Sequence, residues 1–369
     1  MSLKLPSKLS LFLGLRSSKS LKIQAITTLL IAIATSITAC NGSPTSNQST
    51  LSPISTVATT AAINTDKTET RPLVVATNVV TCDLTKQIAG NTIELKCLIE
   101  PDVDVHSYQP KPEDRKAIDS AKLILYGGYN FEPSLIKLIQ ASSNPAPKVA
   151  VDEVAVTSPL MAEPEKSDKK PSDKNSVEKE VDPHVWHNAQ NGIKIAQAIN
   201  KSLSTLRPDQ AANYAKNTAK LVSELEQIDT WIKVQIATIP ASSRKLVTTH
   251  DALSYYAKAY GIPIEGALSG INSEEQPTAT RVKELVEIIK SNQVPTIFAE
   301  VSLNPKLIKT VAKEANVKIS EREIYADGLG TKGSEAETYT GMLIANTRTI
   351  VEGLGGKYTA FKHTDFKRK

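Results

Sequence analysis

Only five histidines occur in this 369-residue chain, and two of them, with one aspartate, stand where a sheet protein places its ligand-binding groups, while a third histidine lies in a loop. His106 lies in Pro101-Asp102-Val103-Asp104-Val105-His106-Ser107-Tyr108-Gln109-Pro110, just beyond a predicted strand that ends near Ile99. His250 follows the predicted strand of Lys245-Leu246-Val247-Thr248, and Asp327, in Ile324-Tyr325-Ala326-Asp327-Gly328, follows another. His184, in Asp182-Pro183-His184-Val185-Trp186, comes from a loop before a helix. Open α/β sheets bind ligands outside the carboxyl ends of their strands. Three neutral imidazoles and one carboxylate form the four-coordinate N/O shell that suits a first-row divalent ion such as zinc or manganese. A single histidine at a strand end is ordinarily a surface or hydrogen-bonded residue. Four such groups, divided between two halves of a chain, suit a cleft that closes on a cation. A hydrolytic zinc site needs an open coordination position and a general base, so a full set of protein ligands favours binding over a zinc-dependent hydrolase. An adhesin stabilised by its metal is the other alternative.

The elements that must position these groups alternate. Leu73 to Thr77 reads as a buried strand, Leu84 to Ala89 as a helix, Ile93 to Ile99 as a strand, and Lys122 to Tyr126 as a third strand. Such alternation predicts a parallel sheet covered on both faces. Pro208 can open a helix without loss of a hydrogen bond, and neither Pro nor Gly interrupts the chain again until Pro240. Some thirty residues at about 1.5 Å each make a rod of roughly 45 Å, enough to join two lobes. Beyond it the alternation resumes: after the strand at Lys245 to Thr248 come a helix at Ala252 to Tyr260, a strand at Thr296 to Ala299, a helix at Pro305 to Glu314, a strand at Val317 to Tyr325 and an amphipathic helix at Tyr339 to Leu354, followed by a basic exposed tail. The expected fold is therefore α/β, with two lobes, each a parallel-rich sheet flanked by helices, joined by one long linker helix. The N-terminal lobe spans 72–205, the linker helix 206–239 and the C-terminal lobe 240–369.

Composition bounds the rest. The formal charge of +5 suggests a polyanion partner, but Lys4, Lys8, Arg16, Lys19 and Lys22 all precede the first acidic residue. Without them basic and acidic residues balance, and no nucleic acid is implied. Residues 1–39 read as a lipoprotein signal peptide: a basic start, an apolar run from Ile23, and small residues before Cys40 like those of a bacterial lipobox. Cleavage and acylation at Cys40 would tie the protein to a membrane surface outside the cytoplasm; an uncleaved anchor is the alternative, although the apolar run falls short of the roughly 20 residues that span a bilayer. Residues 40–71 are too poor in bulky apolar groups to order, and read as a flexible tether. Residues 163–181, rich in Lys, Glu, Asp and Ser and lacking His, read as a disordered loop. Cys82 and Cys97 fall on a predicted helix and its neighbouring strand, where they either pair in an oxidising compartment or remain buried thiols.

These residues resemble the metal-specific solute-binding lipoproteins of ABC importers, including the zinc-uptake, manganese-uptake and TroA-like groups. The resemblance covers about residues 72 to 356 and rests on the run from Pro101 to Pro110, on Asp182 to Trp186, on Thr249-His250-Asp251-Ala252 with Tyr255-Tyr256 and Tyr260-Gly261, and on Tyr325-Ala326-Asp327. It implies that His106, His184, His250 and Asp327 bind the metal, that two α/β lobes flank a long helix, and that a monomer, not an enzyme, passes Zn2+ or Mn2+ to an ABC importer permease. Glu300 resembles a recurrent family glutamate, and either orients an imidazole or simply ends its strand. Val105 stands where the family usually has Pro, and His187-Asn188-Ala189 where an Asp-Pro pair is common. His187 is expected at the rim or in a hydrogen bond, not as a fifth ligand. The resemblance leaves the metal open: nitrogen donors at His250 lean towards zinc, while the His-free loop leans towards manganese, because dedicated zinc importers often carry a His-rich loop there.

Overall fold

A computed structural model of the protein describes residues 71–162, 180–274 and 276–364. The expected signal peptide, Cys40 and all but the last residue of the expected tether lie outside them, as do residues 163–179. Among the described residues no helix is long and apolar enough to cross a membrane.

The first lobe is built on β1 (Leu73–Ala76), β2 (Glu94–Cys97), β3 (Leu123–Tyr126) and β4 (Lys148–Ala150), all parallel, in the order β2-β1-β3-β4. The helices between them are α1 (Val79–Ala89), α2 (Pro112–Ser120) and α3 (Pro133–Ala141), with the short α4 (Val151–Ala155) following β4. Their ends are written in the chain. The Asn78 side chain accepts the Thr81 N–H to start α1, and Pro opens both α2 and α3, where its missing N–H costs nothing. Gly90 ends α1 with φ +55, a conformation that only glycine adopts freely. Helix α1 begins five residues before the position read from its apolar pattern, because its cap lies directly after β1.

Two residues on either side of 163–179 pair antiparallel as β5 (Met161–Ala162) and β6 (Glu180–Val181). The expected disordered loop of 163–181 is therefore corrected at its end, where backbone pairing orders Glu180 and Val181. Helix α5 (Ala189–Leu206) follows, capped by Asn188. A 3-10 turn at Pro208–Gln210 separates it from the long α6 (Ala211–Ala237). The rod is shorter than expected, 27 residues or about 40 Å, since Pro208 starts the turn and not the helix proper. Nor is α6 a bare strut. Leu221, Leu225, Ile228, Ile232 and Ile236 bury one stripe of α6, which packs against α1, α5 and α10.

The second lobe pairs β7 (Leu246–His250) with β8 (Ile264–Ser269), both parallel, and β9 (Thr296–Ile297) with β10 (Lys318–Ile319), also parallel. The Phe298 N–H donates to the Val247 carbonyl at 3.0 Å and joins the two pairs. Around them lie α7 (Ser254–Tyr260), α8 (Ala279–Ser291), α9 (Lys306–Ala315) and α10 (Tyr339–Gly353). The expected strand from Val317 to Tyr325 reduces to β10 and a single parallel bridge between Glu300 and Ile324; the polar Ser320-Glu321-Arg322-Glu323 between them stays at the surface. A small separate core of Val247, Leu268, Leu285, Ile297 and Val311 holds this sheet to α8 and α9.

The tail is not free either. Thr359 donates its N–H to Gln235 Oε1 at 2.7 Å, its carbonyl accepts from Trp231 Nε1 at 3.0 Å, and Tyr358 and Phe361 stack edge-on against the Trp231 ring. Its aromatic residues outweigh its charges.

Cys82 on α1 and Cys97 on β2 are joined as a disulfide, with Cα atoms 5.7 Å apart and a sequence separation of 15. Alkylation without reductant is expected to leave both unlabelled, and replacing both by serine to cost about 2–4 kcal/mol of unfolding free energy; labelling of both in the native protein would contradict the bond. At Gly192, on α5, an added Cβ would stand 2.1 Å from the Tyr339 hydroxyl, which donates to the Trp186 carbonyl at 2.6 Å. Gly192→Ala is therefore expected to destabilise the protein by about 1–3 kcal/mol in urea titration, by overpacking.

Candidate metal centre

Each of the four candidate ligands reaches the centre from a different element. His106 sits in the loop after β2, where Asp104 accepts its backbone N–H at 3.1 Å and the Tyr108 hydroxyl is tied to Asp114 at 2.8 Å. His184 opens the 3-10 turn Val185–His187. His250 is the last residue of β7, not the residue after it. Asp327 lies three residues beyond the Ile324 bridge. The structure brings all four together: one ligand atom from each lies within 4.8 Å of the others, and all four side chains are buried.

The Asp327 carboxylate faces all three rings. Its Oδ1 is 3.2 Å from both His184 Nε2 and His250 Nε2, and its Oδ2 is 3.8 Å from His106 Nε2. Phe131 and Trp186 form the apolar wall, with Phe131 edge-on to His106 and His184 at centroid distances of 5.4 and 5.8 Å. His106 Nε2, His184 Nε2 and Asp327 Oδ2 are buried and have no hydrogen-bond partner. Leaving such atoms unsatisfied is costly, and a cation among them would satisfy all of them together.

Behind two of the rings stand further carboxylates. Asp182 Oδ1 accepts the His184 backbone N–H and meets its Nδ1, both at 2.9 Å. Glu300 Oε1 accepts the His250 N–H at 2.9 Å, and Oε2 bonds its Nδ1. With Nδ1 of each ring facing an acceptor, Nε2 is the nitrogen turned towards Asp327, the arrangement that fixes a ligating tautomer. Glu300 thus stands against an imidazole. In the sequence Asp182 stands out only as part of a motif; its position two residues before His184 is the signal that it can bond that residue's backbone. The Tyr255 hydroxyl, donating to the Asp182 carbonyl at 3.2 Å, and the Phe131 wall have no comparable signal. His187 is not at the rim: it is fully buried, and its Nε2 meets the Ala326 carbonyl at 2.7 Å.

The chain matches the family described as zinc-uptake complex component A, periplasmic, over residues 74–353. It belongs to this family. Its relatives include the metal ABC transporter substrate-binding lipoprotein SsaB of Streptococcus sanguinis, 35% identical over 287 residues that cover 76% of this chain and 88% of the relative. The manganese ABC transporter substrate-binding lipoprotein PsaA of Streptococcus mitis is 34% identical with the same coverage. Among solved structures, the periplasmic zinc-binding protein TroA of Treponema pallidum aligns with a TM-score of 0.70 at 29% identity, over 77% of this chain and 99% of that one. The family's proteins are substrate-binding components of ABC importers, and the two-lobed α/β architecture with a long helix is theirs.

Without a cation, the buried charges of this family member oppose one another. For His184, burial lowers the imidazole's proton affinity, but the nearby Asp182 and Asp327 carboxylates outweigh it and leave the pKa at about 9. For His250, burial is likewise outweighed by Asp327 and Glu300, and the pKa stands well above the usual value. Burial wins at His106 and His187, which fall to about 4 and about 3. Burial would raise Asp327, but His250 and His106 hold it well below the carboxylate range. A raised His pKa contributes stability below the unfolded value of 6.5 that is lost as pH rises; a lowered one contributes stability above 6.5 that is lost as pH falls. Thermal denaturation of the metal-free protein is therefore expected to show highest stability near pH 6.5, declining towards pH 9 as His184 deprotonates and towards pH 4 as His106 takes up its proton. His184→Gln should flatten the alkaline limb.

Proposed function

We propose that this protein captures a divalent first-row metal ion, Zn2+ or Mn2+, in the centre formed by His106, His184, His250 and Asp327, and delivers it to the permease of an ABC importer. The single observation that carries the reading is the set of buried, unpartnered ring nitrogens and carboxylate oxygen converging on one point. Asp182 and Glu300 serve as outer partners that hold two of the rings. Four protein ligands leave no vacant position for an activated water, which supports a binder over a hydrolase. The lipoprotein names of its relatives support anchoring through acylated Cys40 on the outer face of the membrane, with residues 41–71 as the tether. The lobes assigned to 72–205 and 240–369 each supply ligands, and 206–239 joins them.

Calorimetry with Mn2+ and Zn2+ tests the centre. His106→Ala and His250→Ala should each weaken binding by more than the roughly 10–100-fold that loss of an outer partner costs, and unchanged affinity would remove the site. At pH 7 binding should also expel a proton from His184, whose pKa stands at about 9 when metal-free. Repeating the titration in buffers of different ionisation heat measures that release. Deletion of the gene should slow uptake of the same ion by cells.

A further inference from the structure

We propose that His187 positions the Asp327 carboxylate by donating a hydrogen bond from Nε2 to the Ala326 carbonyl, a role that rests on the metal-binding reading above. The carbonyl can only accept, so the Nε2 that meets it at 2.7 Å carries the proton. In a neutral ring Nδ1 is then a bare acceptor, and that atom is buried with no hydrogen-bond partner. Packing alone gives no reason for an imidazole here, since an apolar side chain would fill the space without the unpaired Nδ1; what it would forgo is the donor to the Ala326 carbonyl.

The bond to Ala326 supplies the reason. His184 and His187 are three residues apart on one 3-10 turn, a spacing that directs side chains to the same side. One turn therefore sends its first imidazole to the cation position and its second to the backbone of the residue before Asp327. The turn itself is held from outside: Tyr339 bonds the Trp186 carbonyl at 2.6 Å, and the Asn191 side chain bonds the Val185 carbonyl at 3.1 Å. On the receiving side, sheet pairing ends at Ile324. The Asn346 side chain clamps Tyr325, accepting its N–H at 2.9 Å and donating to its carbonyl at 2.8 Å. His187 then holds Ala326, the last anchor before Asp327 and Gly328. Without it, the Asp327 backbone extends from the Asn346 clamp towards a glycine with one fewer restraint.

The experiment compares wild type with His187→Leu, which removes the donor, His187→Gln, whose amide nitrogen reaches about as far as Nε2, and His187→Asn, whose amide is too short. Leu and Asn are expected to speed Mn2+ dissociation and weaken Mn2+ and Zn2+ binding about tenfold, the scale of one hydrogen bond, and to broaden the electron paramagnetic resonance spectrum of bound Mn2+. Gln should recover most of both, with a metal-free melting temperature no lower than that of wild type. Wild-type affinity and spectrum in His187→Leu would overturn the role, as would losses that Gln shares with Asn. A wild-type protein that binds neither ion would instead overturn the function itself, which separates the two failures.

Discussion

Everything in this protein is arranged around the difficulty of placing three imidazoles and a carboxylate in one dry space. Mutual proximity of the rings disfavours more than one positive charge among them, and burial disfavours any charge at all. Asp327 relieves part of the conflict by facing all three rings at 3.2 to 3.8 Å. Asp182 and Glu300 relieve more of it, but only at His184 and His250. His106 has no such partner behind it and sits at the low end of the proton-affinity range. The centre is thus unequal before any ion arrives, with two rings that hold protons tightly and one that does not.

That inequality follows from the scaffold. His250 ends β7 and Glu300 follows β9 by three residues, at its bridge to Ile324, so the chain leaving the sheet sets their contact. Asp182 and His184 are two residues apart, so a local turn sets theirs. His106 belongs to a loop whose carboxylate, Asp104, bonds backbone and the Ser273 hydroxyl of the second lobe at 2.8 Å instead of a ring. The His106 loop is hence fastened to the second lobe, while His250 is fastened within its own sheet.

The four candidate ligands, which the structure brings together, stand out in sequence through residue type and, for His106, His250 and Asp327, strand-end position, and so does the two-lobed alternation of strands and helices. Boundaries are less legible. The segment from Val317 to Tyr325 has the apolar ends of a strand, yet Ser320 to Glu323 carry no side chain that burial would reward, and only Lys318–Ile319 and the Ile324 bridge pair. The tail at 355–364 looked basic and exposed because charge is visible in sequence, whereas the grip of Trp231 on Tyr358 and Phe361 depends on which face α6 presents there. Outer partners such as Asp182 and the wall at Phe131 are relations between residues, and spacing alone does not reveal them. His187 shows the same limit: its type suggested a polar setting, but the carbonyl it meets is 139 residues away.

The pair of two-residue strands at Met161–Ala162 and Glu180–Val181 fixes both ends of the segment between them at one strand spacing, about 4.8 Å. Chain length between those ends is therefore decoupled from the scaffold, since lengthening a loop whose ends are already clamped costs only logarithmically. Asp182 follows directly, so this junction is a place where sequence can be gained, lost or replaced by grafting while the neighbouring ligand turn keeps its register.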